Sequence, residues 1–251
     1  MKERIEAAIL WILKEGGMMI RYLDAKRMFL SNKGWLKSRF HFSFAEYYNP
    51  ENLRFGVLRV LNDDLVKAND GFDLHPHNDM EIVTYVVDGE ITHRDSMGNA
   101  HTLKRGEVQY MSAGTGILHS EYNNGNEPLR FLQLWIIPDK KGHTPAYGDF
   151  RFPWVDRRNK WLHLVSSKEG DAPIKLNQDV NLLAIDMEAS TESTFIVHTG
   201  RQAYLVLIEG RADVNGVDLF AGDALEIVEE NLDLLAIQPS HFLIVEMKKA
   251  M

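Results

Sequence analysis

The stretch Gly71-Phe72-Asp73-Leu74-His75-Pro76-His77-Asn78-Asp79-Met80-Glu81 places two histidines two residues apart, just ahead of an apolar run at residues 82–87. Side chains alternate between the two faces of a strand, so His75 and His77 should project to the same side. Pro76 cannot donate a ladder hydrogen bond, which puts the pair at the start of a strand or on an edge strand. A single His-x-His pair is more often two surface histidines in a loop, so a metal site needs a second observation.

That observation is a further pair of possible ligands later in the chain. His119 and Glu121 follow Gly114-Thr115-Gly116-Ile117-Leu118 and again stand two residues apart. Two such pairs on neighbouring strands of a barrel would bring three imidazoles and one carboxylate to one interior point. This set of ligands suits iron, copper, nickel, manganese or zinc, and it can leave coordination positions open for water, substrate or dioxygen.

The composition is that of an ordinary globular protein, and it limits how a metal could be bound. The 251 residues are 45% hydrophobic and 25% charged, which is enough apolar content for one large or two small cores. There is no cysteine, so any metal must be held by histidines and carboxylates. The net charge is −8 and no basic stripe is present, so we expect no direct binding to nucleic acid.

No part of the sequence suggests export or membrane insertion. No apolar run is long enough to span a bilayer. The N-terminal residues 1–6 carry acids as well as bases, and no small-residue cleavage site follows the short apolar run behind them. We therefore expect a cytoplasmic protein without a membrane partner.

Most of the chain has the pattern of short strands. Residues 2–15 are the exception, because apolar residues recur there at helical spacing up to Gly16-Gly17, and we predict a helix. Beyond it, apolar runs alternate with turn signals such as Asp88-Gly89, a dipeptide typical of hairpins. Residues 138–160 are rich in glycine, proline and charge and are interpreted as a connector. Strands at this spacing, with almost no helix between them, favour an all-β barrel or sandwich.

The two halves of the chain resemble each other. Residues 83–91 are similar to residues 204–212, and residues 104–108 are similar to residues 220–224. We interpret this as an internal repeat of one barrel. The second copy has neither a His-x-His pair before its strand nor a His-x-Glu pair after its glycine turn, so we predict that it binds no metal.

Four stretches of the first half resemble the pirin family. They lie at residues 34–50, 75–81, 93–99 and 111–121, and the last two place several uncommon residue types in a fixed order. The resemblance extends over about residues 19–251 and is much weaker in the second half. It implies an all-β bicupin, in which two cupin barrels (double-stranded β-helix or jelly-roll folds) pack face to face in one chain.

The resemblance also implies the domain organisation. Residues 19–150 would form an N-terminal metal-binding cupin barrel, and residues 151–251 a C-terminal cupin barrel without metal. Residues 1–18, which contain the predicted short helix, lie outside the family pattern and would form an N-terminal helical extension.

One divalent metal ion in the first barrel, usually Fe(II), is a further implication of the resemblance. Copper, nickel, manganese and zinc are the alternatives. The pirin ligands correspond to His75, His77, His119 and Glu121. In the general cupin pattern the carboxylate ligand often follows the His-x-His pair by a few residues, which would be Glu81. We favour Glu121 as the ligand and expect Glu81 to accept a hydrogen bond from a ligand imidazole.

The function implied by the resemblance is a quercetin 2,3-dioxygenase-like oxidoreductase, which opens a flavonol ring with dioxygen. A carboxylate near the metal would take the proton of the substrate hydroxyl, and Glu121 and Glu81 are the candidates for this catalytic role. The main alternative is a metal- or redox-dependent regulatory protein that binds a protein partner. A cupin isomerase or epimerase is a third possibility. We expect a monomer or a weak dimer.

The remaining candidates have interpretations that the sequence leaves open. His93 and His101 flank the turn at residues 95–99, for which a solvated hairpin is favoured over a lid. His41 is either a pocket residue or a core histidine. The same choice between an apolar cavity near the metal and ordinary core packing applies to five other residues. These are Phe42, Phe44, Met111, Gln133 and Trp135.

Overall fold

A computed structural model of the chain describes the backbone of residues 10–13 and 19–249, with side chains from residue 20 onward. Nearly all of its regular structure is β-strand, interrupted by two short 3-10 helices. The strands up to the middle of the chain are β1 (Leu10–Leu13), β2 (Met19–Leu23), β3 (Phe29–Asn32), β4 (Leu36–Phe40), β5 (Leu58–Val66), β6 (Gly71–His77), β7 (Glu81–Asp88), β8 (Glu90–Asp95), β9 (Ala100–Lys104), β10 (Val108–Ser112), β11 (Ile117–Tyr122), β12 (Leu129–Ile136) and β13 (Ala146–Phe150).

The later strands are β14 (Leu162–Ser167), β15 (Ile174–Leu176), β16 (Val180–Met187), β17 (Glu192–Phe195), β18 (Arg201–Glu209), β19 (Arg211–Val214), β20 (Val217–Phe220), β21 (Ala224–Val228), β22 (Leu232–Ala236) and β23 (Ser240–Lys248). The 3-10 helices are Ala25–Arg27 and Trp154–Arg157.

The strands form four sheets, two for each barrel, and β1 and β2 from the start of the chain join the large sheet of the second barrel. A seven-stranded sheet in the order β13-β10-β7-β12-β5-β4-β3 packs with a four-stranded sheet in the order β6-β11-β8-β9. An eight-stranded sheet in the order β1-β2-β21-β18-β23-β16-β14-β15 packs with a four-stranded sheet in the order β17-β22-β19-β20. The shared order confirms the internal repeat and the fold of two cupin barrels.

Strand β7 shows why the two barrels pack together. All of its residues except the last are buried, because both of its faces are covered. Val83, Tyr85 and Val87 belong to a large apolar cluster that includes strands of the second half, whereas Val86 faces the interior of the first barrel. A strand buried on both faces has a continuous apolar sequence rather than an alternating one.

Two turn glycines occupy matching places in the repeat. Gly89 follows β7 with a φ of +75°, and Gly210 follows β18 with a φ of +98°. A Cβ atom on Gly89 would lie 2.7 Å from the carbonyl oxygen of Pro128, and one on Gly210 would lie 2.1 Å from that of Pro239. The hairpin predicted at Asp88-Gly89 is wrong, because β7 and β8 lie in different sheets and the turn carries the chain from one to the other.

The N-terminal segment differs from the sequence prediction. The helix predicted for residues 2–15 is wrong over Leu10–Leu13, which form a strand, and the rest of that range lies outside the described residues. This strand is antiparallel to β2, and β2 in turn pairs with β21 of the second barrel. Sheet hydrogen bonds thus override the local helical pattern. Among the residues with described structure, no helix has the length and apolar character needed to cross a membrane.

Candidate metal centre

Three histidines converge where β6 and β11 lie side by side. His119 on β11 pairs directly with His75 on β6. The ring centroids of these two residues are 4.5 Å apart, and each lies 4.9 Å from the ring of His77. One ring nitrogen from each of the three lies within 4.8 Å of the others. The i, i+2 spacing of His75 and His77 therefore places both imidazoles on one face, as the sequence predicts.

His119 shows that this cluster suits a metal ion. Its side chain is 2% exposed, and neither of its ring nitrogens has a hydrogen-bond partner. A buried polar nitrogen without a partner is unfavourable, and coordination to a metal would supply the missing interaction.

Burial and the neighbouring imidazoles lower the pKa of two of these histidines. Desolvation, followed by the charge of the adjacent histidines, lowers the pKa of His77 to about 3. The same causes lower the pKa of His119 to about 3. A metal binds the neutral form of imidazole, so the site favours the protonation state that a ligand needs.

Glu121 lies deeper in the barrel and is fixed by amide and hydroxyl groups. Its Oε1 accepts hydrogen bonds from Gln109 Nε2 at 2.6 Å and Thr84 Oγ1 at 3.2 Å, and its Oε2 accepts one from Gln133 Nε2 at 2.8 Å. Burial raises the pKa of the carboxyl group. Glu121 groups with His93 and His119 rather than with His75 and His77. His119 therefore belongs to both groups of possible ligands.

His93 is the site residue that the sequence interpretation missed. It is fully buried, so the solvated hairpin expected around it is wrong at this position. Its Nε2 lies 3.2 Å from Asp95 Oδ2, its Nδ1 has no partner, and its ring stacks on Tyr147. The pairing of His93 with Glu121 across β8 and β11 explains why it faces inward. Its alternation with the buried Ile91 was the available signal.

Glu81 belongs to neither group of possible metal ligands. It is buried, but its carboxylate accepts hydrogen bonds from Ser112 Oγ at 2.7 Å and from the backbone and side-chain nitrogens of Asn177 at 3.1 Å. The expected bond from a ligand imidazole is therefore replaced by bonds to β10 and to the second half of the chain. Glu81 lies four positions after His77, and on one regular strand the two side chains would point to the same side. This does not hold here, because β6 and β7 belong to different sheets.

An aromatic wall borders the histidine cluster. The ring of Trp135 lies 4.8 Å from that of His77 in an edge-on arrangement, and Phe44 lies 5.4 Å from Trp135. Met111 belongs to the small apolar cluster against which Trp135 packs. Phe42, by contrast, lies in the core between the barrels.

His41 is a core histidine rather than a pocket residue. Its ring is 1% exposed, and its Nδ1 lies 3.0 Å from the hydroxyl of Tyr204 in the second half of the chain. Burial lowers its pKa to about 4.

The second barrel has apolar side chains at the positions that correspond to the site. Strand pairing places Phe195, Leu232, Leu234 and Val214 where the first barrel has His75, His119, Glu121 and His93. These residues belong to the apolar core of the second barrel or pack against it. Both groups of possible ligands formed by the described residues lie in the first barrel.

Comparison with known proteins agrees with this architecture. Residues 23–136 match the pirin family, and residues 163–247 match the family described as quercetinase C-terminal cupin domain. A protein of Escherichia coli (strain K12) named quercetin 2,3-dioxygenase is 42% identical over 201 residues, covering 80% of this chain and 86% of that protein. A pirin-like protein of Caulobacter vibrioides is 42% identical over 218 residues, covering 86% of this chain and 94% of that protein.

A solved structure with the same fold contains a bound metal ion. The bacterial pirin YhhW from Escherichia coli, in complex with nickel(II), superimposes with a TM-score of 0.87 at 37% identity, covering 92% of this chain and all of that one. The two groups of residues in this chain that could hold a metal ion both lie in the first barrel, as far as the described residues show. The extent and identity of these matches show that the chain belongs to the pirin family.

Proposed function

We propose that this protein is a metal-dependent dioxygenase that opens the ring of a flavonol such as quercetin, or of a related aromatic enol. The observation that carries the proposal is the convergence of three imidazoles on one point of the first barrel, with the buried carboxylate of Glu121 beside His119. The name of the Escherichia coli relative as quercetin 2,3-dioxygenase supports the substrate class.

We assign His75, His77, His119 and Glu121 as the ligands of one divalent metal ion, with Fe(II) as the favoured metal. When bound, the ion would supply open coordination positions and a positive charge that favours the deprotonated hydroxyl of the substrate. We propose a metal-binding barrel within residues 19–150 and a barrel without metal within residues 151–251, with β2 joining the large sheet of the second barrel.

The residues around the ligands have separate roles. The edge-on rings of Trp135 and Phe44 provide an apolar surface for the flat substrate on the side of His77. Gln109 and Gln133 donate to the two oxygens of Glu121 and so fix the carboxylate. Glu121 groups with His119, one of the three converging histidines, and we assign it as the carboxyl group that takes the proton of the substrate hydroxyl.

The test is oxygen consumption by anaerobically iron-loaded protein when quercetin is added. A double variant, His75→Ala with His77→Ala, removes two of the assigned ligands. His198→Ala is the matched control, because no hydrogen bond or ion pair joins the side chain of this histidine to another described residue. We expect uptake by the wild type and the His198 variant and none by the double variant. Stoichiometric iron without uptake would contradict the proposal and favour a regulatory protein with a protein partner.

A further inference from the structure

The second barrel contains a cavity of about 540 Å³ that the proposed reaction does not use. Its lining includes the apolar side chains of Leu183 and Phe195. It also includes Asn181, Arg201 and Glu246, which come from three adjacent strands of the large sheet. The cavity thus combines an apolar surface with a charged one.

The cavity lies at the end of the second barrel that corresponds to the metal centre of the first. Trp135 pairs with Ile82 in the first barrel, and Glu246 pairs with Ala203 at the same place in the second. Glu246 therefore occupies the position of Trp135, which borders the histidine cluster. The aromatic side chain that borders the histidine cluster in the first barrel is therefore replaced by a carboxylate in the second.

The polar wall is a connected network of hydrogen bonds. Arg201 donates through Nε and Nη2 to the two oxygens of Glu246, the latter at 2.8 Å, and through Nη1 to Asp179 Oδ2 at 2.6 Å. Asn181 Nδ2 donates to Glu246 Oε2 at 2.7 Å, and His163 Nε2 lies 3.0 Å from Asn181 Oδ1. The side chain of Glu246 is 9% exposed, so this network is largely withdrawn from bulk water.

The charges of this wall exclude most ionic ligands. Arg201 is matched by Glu246, and Asp179 leaves one negative charge in excess, so an anion would be repelled. A cation at Asp179 would lie next to the guanidinium group of Arg201, which is 2.6 Å from that carboxylate, and would be repelled by it. A hydroxyl group both donates and accepts, so it can bond to a carboxylate oxygen and to a neighbouring N–H group at once. Donor and acceptor atoms alternate along the wall, and hydrogen bonds of 2.6 to 2.8 Å join them to one another.

We propose that this cavity binds a neutral ring compound with vicinal hydroxyl groups. The hydroxyls would bond to the wall formed by Asp179, Asn181, Arg201 and Glu246, while the apolar face of the ring would lie on Phe195. A sugar and a catechol share this chemistry, and the experiment separates them. The proposal does not rest on the proposed function of the first barrel.

Calorimetric titration of the full-length, metal-loaded protein tests the proposal, with methyl β-D-glucopyranoside and catechol as separate probes. Asp179→Asn and Asn181→Leu remove a charge or a donor from the wall without changing the size of the side chain much. The carboxylate of Asp179 is half exposed, so the Asp179→Asn variant should fold normally. We expect each variant to weaken binding about tenfold or more, because hydrogen bonds to charged groups are lost.

Catechol could also bind at the metal centre, and the double variant His75→Ala with His77→Ala identifies that case. Binding of either probe that survives in the double variant and is weakened by Asp179→Asn and Asn181→Leu supports the proposal and identifies the class of ring. The proposal is overturned if neither probe binds, if both wall variants bind like the wild type, or if catechol is the only probe that binds and its binding disappears in the double variant alone.

Discussion

The imidazole of His93 stacks on the phenol ring of Tyr147, with ring centroids 4.3 Å apart and planes 15° from parallel. Tyr147 belongs to β13, the edge strand that pairs with β10. Together with the contact to Asp95, this stacking fixes the ring of His93 next to His119, whose ring centroid lies 5.3 Å away. His93 is therefore held rigidly from two sides, although it is not one of the assigned ligands.

Replacing His93 tests whether this support matters for the metal. We expect His93→Leu to weaken metal binding by about tenfold to a hundredfold, the range typical for groups that orient metal ligands. The measurement is competition with a chelator of known affinity. His101→Leu is the matched control, because His101 also contacts Tyr147 but lies on the exposed side. Equal metal affinity of both variants and the wild type would refute a role for His93.

His119 belongs to both groups of possible ligands, so its loss should affect metal binding most. We predict that His119→Ala abolishes stoichiometric metal binding, whereas His198→Ala retains it. The metal content of both purified variants can be measured by mass spectrometry after loading under identical conditions. Unchanged metal content in the His119 variant would rule out the assigned site.

Glu81 connects the barrels, and its variants separate structure from catalysis. Glu81→Ala would leave the backbone N–H of Asn177 and the hydroxyl of Ser112 without the carboxylate that accepts their hydrogen bonds. We expect a loss of about 2–4 kcal/mol in the free energy of unfolding, with the metal content unchanged. Glu81→Gln should lose less, because its amide oxygen still accepts. A stable Glu81→Ala protein that has lost oxygen uptake would instead indicate the catalytic role that the sequence suggests.

Features of this structure that depend on local interactions were predictable from the sequence, and features that depend on pairing between distant segments were not. The convergence of His75 and His77 depends only on strand alternation, and the repeat of turn glycines is local as well, so both were predictable. The alternation of His93 with Ile91 indicates that it faces inward, but its position opposite Glu121 depends on a strand register that the sequence does not specify. Residues 10–13 form a strand because β2 lies beside them and continues into the second barrel. Such pairing between distant segments overrides local pattern.

Asp64 should make stability depend on pH. It is 4% exposed and accepts a hydrogen bond from Ser38, and desolvation raises its pKa to about 7. Between its ordinary pKa and about 7 the folded protein binds more protons than the unfolded chain, so this group contributes stability at low pH that is lost as pH rises. The contribution is about 4 kcal/mol at most.

Asp64→Asn removes this titration. We predict that the difference in unfolding free energy between variant and wild type changes across pH 4–7, with the wild type gaining relative stability as pH falls. Urea denaturation at several pH values measures this difference, and the other titrating groups largely cancel from it. A difference that stays constant over this range would contradict the raised pKa of Asp64.

The matched glycines of the repeat allow backbone strain to be separated from steric conflict. Gly98, Gly89 and Gly210 all have positive φ, but a Cβ on Gly98 would meet no atom within 4 Å. Gly98→Ala should therefore destabilise by strain alone, about 1 kcal/mol. Gly89→Ala and Gly210→Ala add a conflict with a proline carbonyl oxygen, and that conflict is closer at Gly210. We expect both to lose about 3 kcal/mol or more, with Gly210→Ala the more severe. Both carbonyl groups belong to the backbone just before a strand, so neither can move aside without shifting the strand that follows it. Equal losses in all three variants, measured by urea unfolding, would show that the carbonyl contacts do not constrain these turns.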